Sequence, residues 1–328
     1  MTEEERAGGV VSQANNNPFK YSDTNKRYHT YDYYLKHRFG EKCAKIPLDA
    51  GFTCPNIDGT CGTGGCIYCS GGSAARLASS LLPLPKQYEI GVEKMRGKWN
   101  VKKLIPYLQA YTNTHTSPDV LQKILDQVSL FEGAVMIDIA TRADCLGDDI
   151  ISVLHQVSEK IPLTVELGLQ TSCDTTASLI NRCHDFETFV RGYERLRTGA
   201  PRVKIGIHII NGLPGENAEI MKNTAGRVAD LHPDLVKIHL LHVLDGTLLG
   251  EMYKRGEYAP MERDEYISVV CDQLELLPPN VVVERVTGDG IDSQLLAPDW
   301  SRKKVTVIND IDKELFRRNS FQGKHYLG

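Results

Sequence analysis

The chain has 328 residues, of which 41% are hydrophobic and 24% charged, and its formal net charge at pH 7 is −4. These values are typical of a soluble globular protein, and no apolar run approaches the roughly 18 residues that a membrane span needs. The acidic balance excludes a strongly basic protein that coats nucleic acid, although a local patch could still bind a phosphate backbone.

The first residues, MTEEERAGGVVSQANNN, are acidic and then polar. They lack the basic segment and apolar stretch of a secretory signal, so we expect a cytoplasmic location. Because they also lack hydrophobic periodicity, residues 1–27 are predicted to form a flexible N-terminal segment. The nine cysteines are odd in number and five are scattered singly, which is a poor disulfide framework and favours reduced thiols.

Short apolar or β-branched runs alternate along the chain with segments of helical periodicity. One predicted helix starts after Ser117, a good N-cap, with Pro118 in its first position; another ends before Pro278. Repeated strands and helices in this order predict a parallel sheet. The predicted strands are residues 45–51, 105–111, 134–141, 163–170, 203–210, 235–242 and 281–286.

The side chains of the predicted strands alternate between an apolar face and a polar face. A closed TIM barrel fills its interior with branched apolar side chains, so both faces of its strands should be apolar. The pattern instead predicts an incomplete barrel whose apolar faces lie under the helices and whose polar faces line a wet interior. The charged and imidazole side chains on these inner faces include Asp138, Arg142, Glu166, Lys204, His208, Lys237 and His239.

Nearly every predicted strand ends in a polar, charged or glycine-rich turn, which places a site at the C-terminal end of the sheet. The first of these turns contains the stretch CPNIDGTCGTGGCIYC, with cysteines at positions 54, 61, 66 and 69. Four thiolates could bind a structural zinc ion, or three could bind an iron-sulfur cluster and leave one iron without a protein ligand.

The cysteine loop and several segments along the chain resemble the radical S-adenosylmethionine (SAM) superfamily. These segments are LDAGFTCPNIDGT, GGCIYCS, ATRADCL, VELGLQT, HIINGLPGE and KIHLLHVLDGT. The resemblance is closest to its YhcC/YtqA-like subfamily, which is related to the radical domain of the Elongator catalytic subunit. It implies an α/β fold, a partial (β/α)6-type TIM barrel over residues 28–290, with a C-terminal extension over residues 291–328 packed on it.

The same resemblance implies that Cys54, Cys66 and Cys69 bind a 4Fe-4S cluster whose free iron takes SAM. One electron, from a flavodoxin- or ferredoxin-type donor, would then cleave SAM to a 5′-deoxyadenosyl radical. By analogy with the Elongator relatives, the substrate would be a tRNA nucleoside. Cys61 is an additional thiol in this loop and leaves open which three sulfurs are ligands.

Further ligand contacts follow from the resemblance. Tyr68 resembles the aromatic residue beside the adenine, although it could also be a packing ring. Gln109 and Ala110 occupy the position that meets the methionyl amino group. Glu166 and Gln170 suit the ribose hydroxyls or the amine, and Arg182 resembles the arginine that pairs with the carboxylate. For each of these residues, structural hydrogen bonding within the barrel interior is the alternative.

On the substrate side, the candidate catalytic residues are Lys204, His208, Lys237 and His239. A buried ionic network explains these residues almost as well. Cys145, Cys173 and Cys183 could supply a hydrogen donor or an auxiliary cluster, or they could be inert thiols.

Two further alternatives remain at the level of the sequence. The basic residues of segment 301–328 could form a basic surface or only a solvated helix face. The chain could also be a zinc-binding barrel with a structural site of four cysteines and no radical chemistry. The oligomeric state is not indicated.

Overall fold

In a computed structural model of the chain, residues 17–70, 81–288 and 293–328 are described. The central element is a seven-stranded parallel sheet, and all seven predicted strands are confirmed, with bounds that differ by a few residues. Its strands are β1 Cys43–Leu48, β2 Lys103–Leu108, β3 Ile137–Thr141, β4 Leu163–Gln170, β5 Lys204–Asn211, β6 Leu235–Leu240 and β8 Val282–Arg285. They lie side by side in the order β1-β2-β3-β4-β5-β6-β8. A small antiparallel pair is formed by β7 Val243–Leu244 and β9 Leu295–Ala297.

Helices connect the strands and cover the outer face of the sheet. They are α1 Tyr31–Phe39, α2 Leu84–Arg96, α3 Pro118–Ser129, α4 Asp148–Ser158, α5 Asp174–Leu179, α6 Phe186–Gly199, α7 Ala218–Asp230, α8 Leu248–Lys254, α9 Arg263–Leu276 and α10 Lys304–Arg317, with short 3-10 turns at Ala143–Cys145 and Asp299–Arg302. Among the described residues, none of these helices is long and apolar enough to cross a bilayer.

Helix α3 shows how local sequence sets an element. Ser117 occupies the N-cap position and Pro118 the first turn as predicted, although the Ser117 side chain forms no capping hydrogen bond. Leu121, Leu125 and Val128 are buried at helical spacing, which turns one face of α3 towards the core.

The two faces of the strands are separated as the alternation predicted. Val165 and Leu167 of β4 and Ile207 of β5 belong to the apolar core beneath the helices. Glu166 of β4 and Lys237 of β6 are also buried, but in the interior of the curved sheet. The sheet is incomplete because β1 and β8 are its two edges. Helix α1 contacts both edge strands and follows a parallel bridge between Thr30 and Val283.

The described part of the predicted flexible segment, residues 17–27, packs on the protein. Phe19 is buried, and the Lys26 ammonium pairs with Asp312 of α10. The prediction of a flexible segment therefore does not apply to these residues, because an aromatic anchor and an ion pair hold them. Residues 1–16 lie outside the described residues.

In the C-terminal extension, α10 packs against α9. Its basic residues do not form an unopposed basic surface, because acidic residues one helical turn away neutralise them. Lys313 pairs with Asp310 at 3.0 Å, and Arg317 and Arg318 each pair with Glu314 at 2.7 Å. The interpretation as a solvated helix face is therefore correct for this part of the extension.

Close packing of α6 on the turn at Ala143–Cys145 gives a stability prediction. A Cβ atom at Gly192 would lie 2.1 Å from the carbonyl oxygen of Ala143. Because a backbone carbonyl cannot move away without displacing its whole segment, we expect Gly192→Ala to lower the free energy of unfolding by roughly 1–3 kcal/mol or more. Gly226 of α7 is the matched control, since a Cβ there meets nothing within 4 Å. Gly226→Ala should raise stability by up to about 1 kcal/mol.

Urea denaturation of both variants measures the difference. Equal stability of Gly192→Ala and Gly226→Ala would show that the close approach of α6 to Ala143 is wrong.

Candidate active site

The cysteine loop lies at the C-terminal edge of the sheet. All seven strands are parallel, so their C-terminal ends share one edge. The loop leaves β1 after Leu48 and lies beside the segment that follows β2, where the Thr112 N–H donates to the Thr53 carbonyl at 3.2 Å. It therefore opens on the edge that the turn pattern predicted.

Short backbone turns fix the cysteines within this loop. The Cys54 carbonyl accepts hydrogen bonds from the N–H groups of Ile57 at 2.8 Å and Asp58 at 3.1 Å, and the Cys69 N–H donates to the Cys66 carbonyl at 2.9 Å. Gly64 and Gly65 have φ values of +80° and +74°, which reverse the chain just before Cys66 and which only glycine adopts without strain.

Asn56 ties the loop to two neighbouring segments. It is fully buried, and its Nδ2 donates to the Asn181 carbonyl at 2.7 Å and to the Cys66 Sγ at 3.4 Å. Its Oδ1 accepts from the Arg142 guanidinium at 2.5 Å, and Arg142 also forms a bidentate pair with Asp144. The amide therefore fixes one cysteine sulfur relative to the ends of β3 and α5.

The thiols of the loop suit an iron-sulfur cluster by donor type. Cys54, Cys66 and Cys69 are free thiols with partial or full exposure, and Cys66 receives an N–H donor of the kind that orients metal ligands. Within the described ranges, no three His, Cys, Asp or Glu side chains already lie close enough together to hold a metal ion. The distances between the described side chains therefore do not distinguish a cluster site of three thiols from a zinc site of four.

Arg182 and Gln170 meet at Gly168 of β4. A Cβ at Gly168 would lie 2.7 Å from the Gln170 Nε2 and 3.2 Å from the Arg182 Nη2, so glycine leaves room for both side chains. Arg182 is buried and donates from Nη2 to the Gly168 carbonyl, while its Nε has no hydrogen-bond partner among the described residues. A buried guanidinium N–H without a partner suits an anionic ligand group.

The other predicted SAM contacts lie at the same edge. Tyr68 is partly buried and packs on the apolar cluster that includes Ile180 and Leu213, and burial together with the nearby Cys66 raises its pKa well above the ordinary value. Gln109 follows β2, and its N–H donates to the Leu48 carbonyl at 3.2 Å. Ala110, next to it, is buried.

A network of buried charges lies on the inner face of the sheet around Glu166. Its Oε1 accepts from the Lys45 ammonium at 2.6 Å, and its Oε2 accepts from Lys237 at 2.5 Å, the Tyr107 hydroxyl at 2.6 Å and the His208 Nε2 at 2.9 Å. Both oxygens are thus bonded to protein groups. This placement differs from the prediction that Glu166 meets a SAM hydroxyl or amine.

Two further carboxylates complete the network. Lys45 also pairs with Asp138 at 2.5 Å and with Glu284, and Lys237 lies 3.0 Å from Glu284. Three carboxylates therefore surround two ammonium groups. The prediction of Asp138, His208 and Lys237 on the inner face agrees with this arrangement.

The electrostatics of the network follow from burial and from this mixture of charges. Burial would raise the pKa of Glu166, but Lys237 and Lys45 hold it well below its usual range. Burial raises the pKa of Asp138 to about 6, against the opposing effect of Lys45. Burial, followed by the Lys237 ammonium, lowers the pKa of His208 to about 4. His208 is therefore neutral at pH 7.

His239 and Lys204, the remaining substrate-side candidates, have different positions. The His239 ring lies 5.2 Å from that of His208, and its Nε2 has no hydrogen-bond partner within the described part of the chain. Lys204 is the first residue of β5, is 43% exposed, and pairs with Asp234 at 2.7 Å. The structure does not bring Lys204 into the network, because it lies at the opposite end of the strand from the cysteine edge.

Sequence reasoning missed Lys45, Tyr107, Glu284 and Asn56. The signal for Lys45 and Glu284 was present, since Lys45 is the one charged residue of β1 and Glu284 directly follows two valines in β8. Tyr107 carried a weaker signal, because a tyrosine in a strand usually packs. Asn56 carried none, since an asparagine in a glycine-rich loop is an ordinary turn residue.

Comparison with known proteins agrees with this geometry. The Radical_SAM C-terminal domain model matches residues 233–317. The protein YtqA of Bacillus subtilis is 45% identical over 312 residues, which cover 95% of this chain and 96% of YtqA. The chain belongs to the YhcC/YtqA-like family of radical SAM proteins. It is an enzyme of the radical SAM type.

A solved structure and a second relative extend the comparison. Elp3 of the archaeon Methanocaldococcus infernus, with residues 1–46 deleted, has a TM-score of 0.63 and 19% identity over 85% of this chain and 64% of its own. This likeness shows the fold, a partial TIM barrel. The tRNA uridine(34) acetyltransferase of Methanocaldococcus jannaschii is 30% identical over 158 residues, which cover 47% of this chain and 28% of that protein.

The neutral state of His208 gives a prediction for pH dependence. Between pH 6.5, the ordinary pKa, and about 4, the unfolded chain binds a proton at His208 that the folded protein does not, so this residue makes stability fall as the pH falls. His208→Gln keeps an N–H donor for Glu166 and cannot titrate. As the pH falls, the free energy of unfolding of the variant should therefore decrease less steeply than that of the wild type. The difference between the two slopes should be up to about 1.4 kcal/mol per pH unit.

Urea denaturation of the wild type and the variant at pH 7, 6 and 5 measures the two slopes. Asp138 titrates in the same range with the opposite sign, but it is present in both proteins and largely cancels in the comparison. Parallel curves would contradict the lowered pKa of His208.

Proposed function

We propose that this enzyme uses a 4Fe-4S cluster on Cys54, Cys66 and Cys69 to cleave SAM reductively and that it modifies a nucleoside in tRNA. The observation that carries the proposal is the position of the cysteine loop, on the sheet edge that opens over a polar interior. When bound, the cluster would supply one electron for cleavage of the S–C5′ bond of SAM, which gives methionine and a 5′-deoxyadenosyl radical. A flavodoxin- or ferredoxin-type protein is the proposed electron donor.

The residues at the edge would bind and orient SAM. The unpartnered Nε of Arg182 suits the methionyl carboxylate, and the Gln170 amide beside it can bond the ribose or the amine. Tyr68, which follows Ile67 between two of the cysteines, offers a ring face to the adenine. A close fit of these groups would exclude water from the reacting atoms.

The network below the edge would handle protons near the substrate. A neutral His208 donates to Glu166 from Nε2, so its Nδ1 is left as an acceptor. The described residues make no hydrogen bond to this Nδ1, and the side chain keeps 15% of its surface exposed. His208 could therefore accept a proton or a hydrogen bond from a substrate in the interior, with Lys237 and His239 beside it.

The tRNA substrate rests on relatives rather than on the site itself. The alignment with the tRNA uridine(34) acetyltransferase covers 158 residues, which is less than half of this chain. A nucleoside that reaches the network must leave its base stack, and loops or ends of RNA offer such bases.

Substitution of single cysteines tests the ligand assignment. Cys66→Ala should lose most of the iron and the formation of 5′-deoxyadenosine under strong reductant, whereas Cys61→Ala, the matched control on the same loop, should retain both. The measurements are iron and sulfide content, electron paramagnetic resonance of the reduced cluster, and chromatography of the nucleoside product after anaerobic reconstitution.

The alternative, a structural zinc site of four thiols, predicts a different result. Protein purified without air would then be colourless, would contain zinc, and would lose it when either cysteine is replaced.

The substrate class is tested by mass spectrometry of nucleosides from total tRNA of a strain that lacks the gene. We expect one modified nucleoside to disappear or to be replaced by a precursor, and the wild-type gene to restore it. A gene with Cys66→Ala should fail to restore it. Unchanged nucleosides would contradict the tRNA substrate and leave the radical chemistry to be judged by the cysteine variants.

A further inference from the structure

A group of six cations lies at the end of the barrel opposite the cysteine loop. We call this surface the basic patch. It contains residues from the end of α2, from the segment before β2, and from the residue before β1. Its members are Lys42, Lys94, Arg96, Lys98, Lys102 and Lys103.

Few acidic residues oppose these cations. Lys94, Arg96, Lys98 and Lys102 are exposed, and within the described ranges none of them forms an ion pair. Lys103 pairs loosely with Glu41 at 3.7 Å. The carboxylates near these cations include Glu41, Glu93 and Glu132, while Asp32, close to Cys43, pairs with Lys36 at 2.6 Å. In a chain with a net charge of −4, such a local excess of positive charge creates a field that attracts polyanions.

The C-terminal helix α10 is the informative contrast. It has fewer basic residues, and Lys313, Arg317 and the adjacent Arg318 pair with acidic residues of α10 itself at 2.7–3.0 Å. Charges that are neutralised at this distance contribute little to a long-range field. The cations of the basic patch, in contrast, remain available for phosphate groups.

An aromatic ring lies within the basic patch. Trp99 is 51% exposed, and the Lys42 ammonium lies 3.3 Å from its ring centroid. An exposed tryptophan among unpaired cations is the combination with which proteins bind a nucleic-acid strand, because a base stacks on the ring while the cations contact the backbone.

Helix α2 runs from the active-site edge to the basic patch. In its first turn, Gln87 donates from Nε2 to the carbonyl of Asp49, the residue after β1, at 2.8 Å, and its last residue, Arg96, lies in the basic patch. Thirteen residues of helix span roughly 20 Å, which a few nucleotides of RNA can follow. One tRNA could therefore place a base at the cysteine edge and backbone phosphates on the basic patch.

We propose that the basic patch, with Trp99, is a docking surface for the phosphate backbone of the RNA substrate. This inference rests on the proposed tRNA substrate and adds where that RNA is held. An acidic electron-transfer protein is the competing occupant. It is disfavoured because Lys42 and Lys103 lie at the N-terminal ends of β1 and β2, whereas the cysteine loop lies at their C-terminal ends. Each strand has six residues, so an electron donor bound at the basic patch would be roughly 20 Å from the cysteines.

The test compares two triple variants with the same change in net charge. Lys94→Gln, Arg96→Gln and Lys98→Gln neutralise the basic patch, and Lys313→Gln, Arg317→Gln and Lys324→Gln neutralise exposed residues of the C-terminal extension. The probe is total tRNA from the deletion strain, bound to reconstituted protein at several salt concentrations and followed by fluorescence anisotropy.

The patch variant should bind tRNA about tenfold or more weakly, and the slope of log K against log salt should fall by about 2 to 3, since each phosphate contact contributes slightly less than one. The C-terminal variant should bind almost as the wild type does. Trp99→Ala should weaken binding without changing the slope, because stacking involves no counterion release.

Three results would overturn the inference: no binding of tRNA to the wild type, equal loss in both triple variants, or unchanged binding by the patch variant. A fourth would reassign the surface. If the patch variant formed 5′-deoxyadenosine slowly with flavodoxin but normally with dithionite, the basic patch would serve the electron donor. Because the cysteine and nucleoside experiments do not use these variants, failure of this inference and failure of the proposed function can be distinguished.

Discussion

The interior of this barrel depends on the contact between Glu166 and the two lysines, Lys45 and Lys237. An unpaired charge in such a buried place is very costly, so each of these groups requires the others. They come from β4, β1 and β6, which means that the network joins strands that do not pair with one another. It also fills the interior with polar groups, whereas a closed TIM barrel would pack it with branched apolar side chains.

The active-site edge depends on this interior and on a second, smaller set of bonds. Gly168 leaves space for Arg182 and Gln170 just above the network. Asn56 binds both the Cys66 sulfur and the backbone at Asn181, so the cysteine loop is fixed relative to the segment after α5 that carries Arg182. Ligand-binding groups on a loop need such support, since small displacements of reacting atoms lower the rate strongly.

The surface charges follow a different rule from the buried ones. On α10, acidic and basic residues at i, i+3 and i, i+4 neutralise each other, as the pairs of Glu314 with Arg317 and Arg318 show. Between Lys94 and Lys102 the cations form no such ion pairs with the described residues, although Glu93 lies three residues before Arg96. The number of basic residues in a segment is therefore a poor guide to its electrostatic field, and the ion pairs that they form in the folded protein are a better one.

The sequence by itself determined the seven strands, because the alternation of apolar and polar side chains is a local property. It also determined the cysteine loop, because the thiol spacing and the surrounding motifs are specific. It also determined which face of each strand is polar. Only the tertiary structure decided which polar residues meet. Alternation gives the face of a side chain but not its height along the barrel, so Lys204 and Lys237 looked equivalent although only Lys237 reaches Glu166. The role of Asn56 likewise depended on partners more than 80 residues away, which no local pattern records.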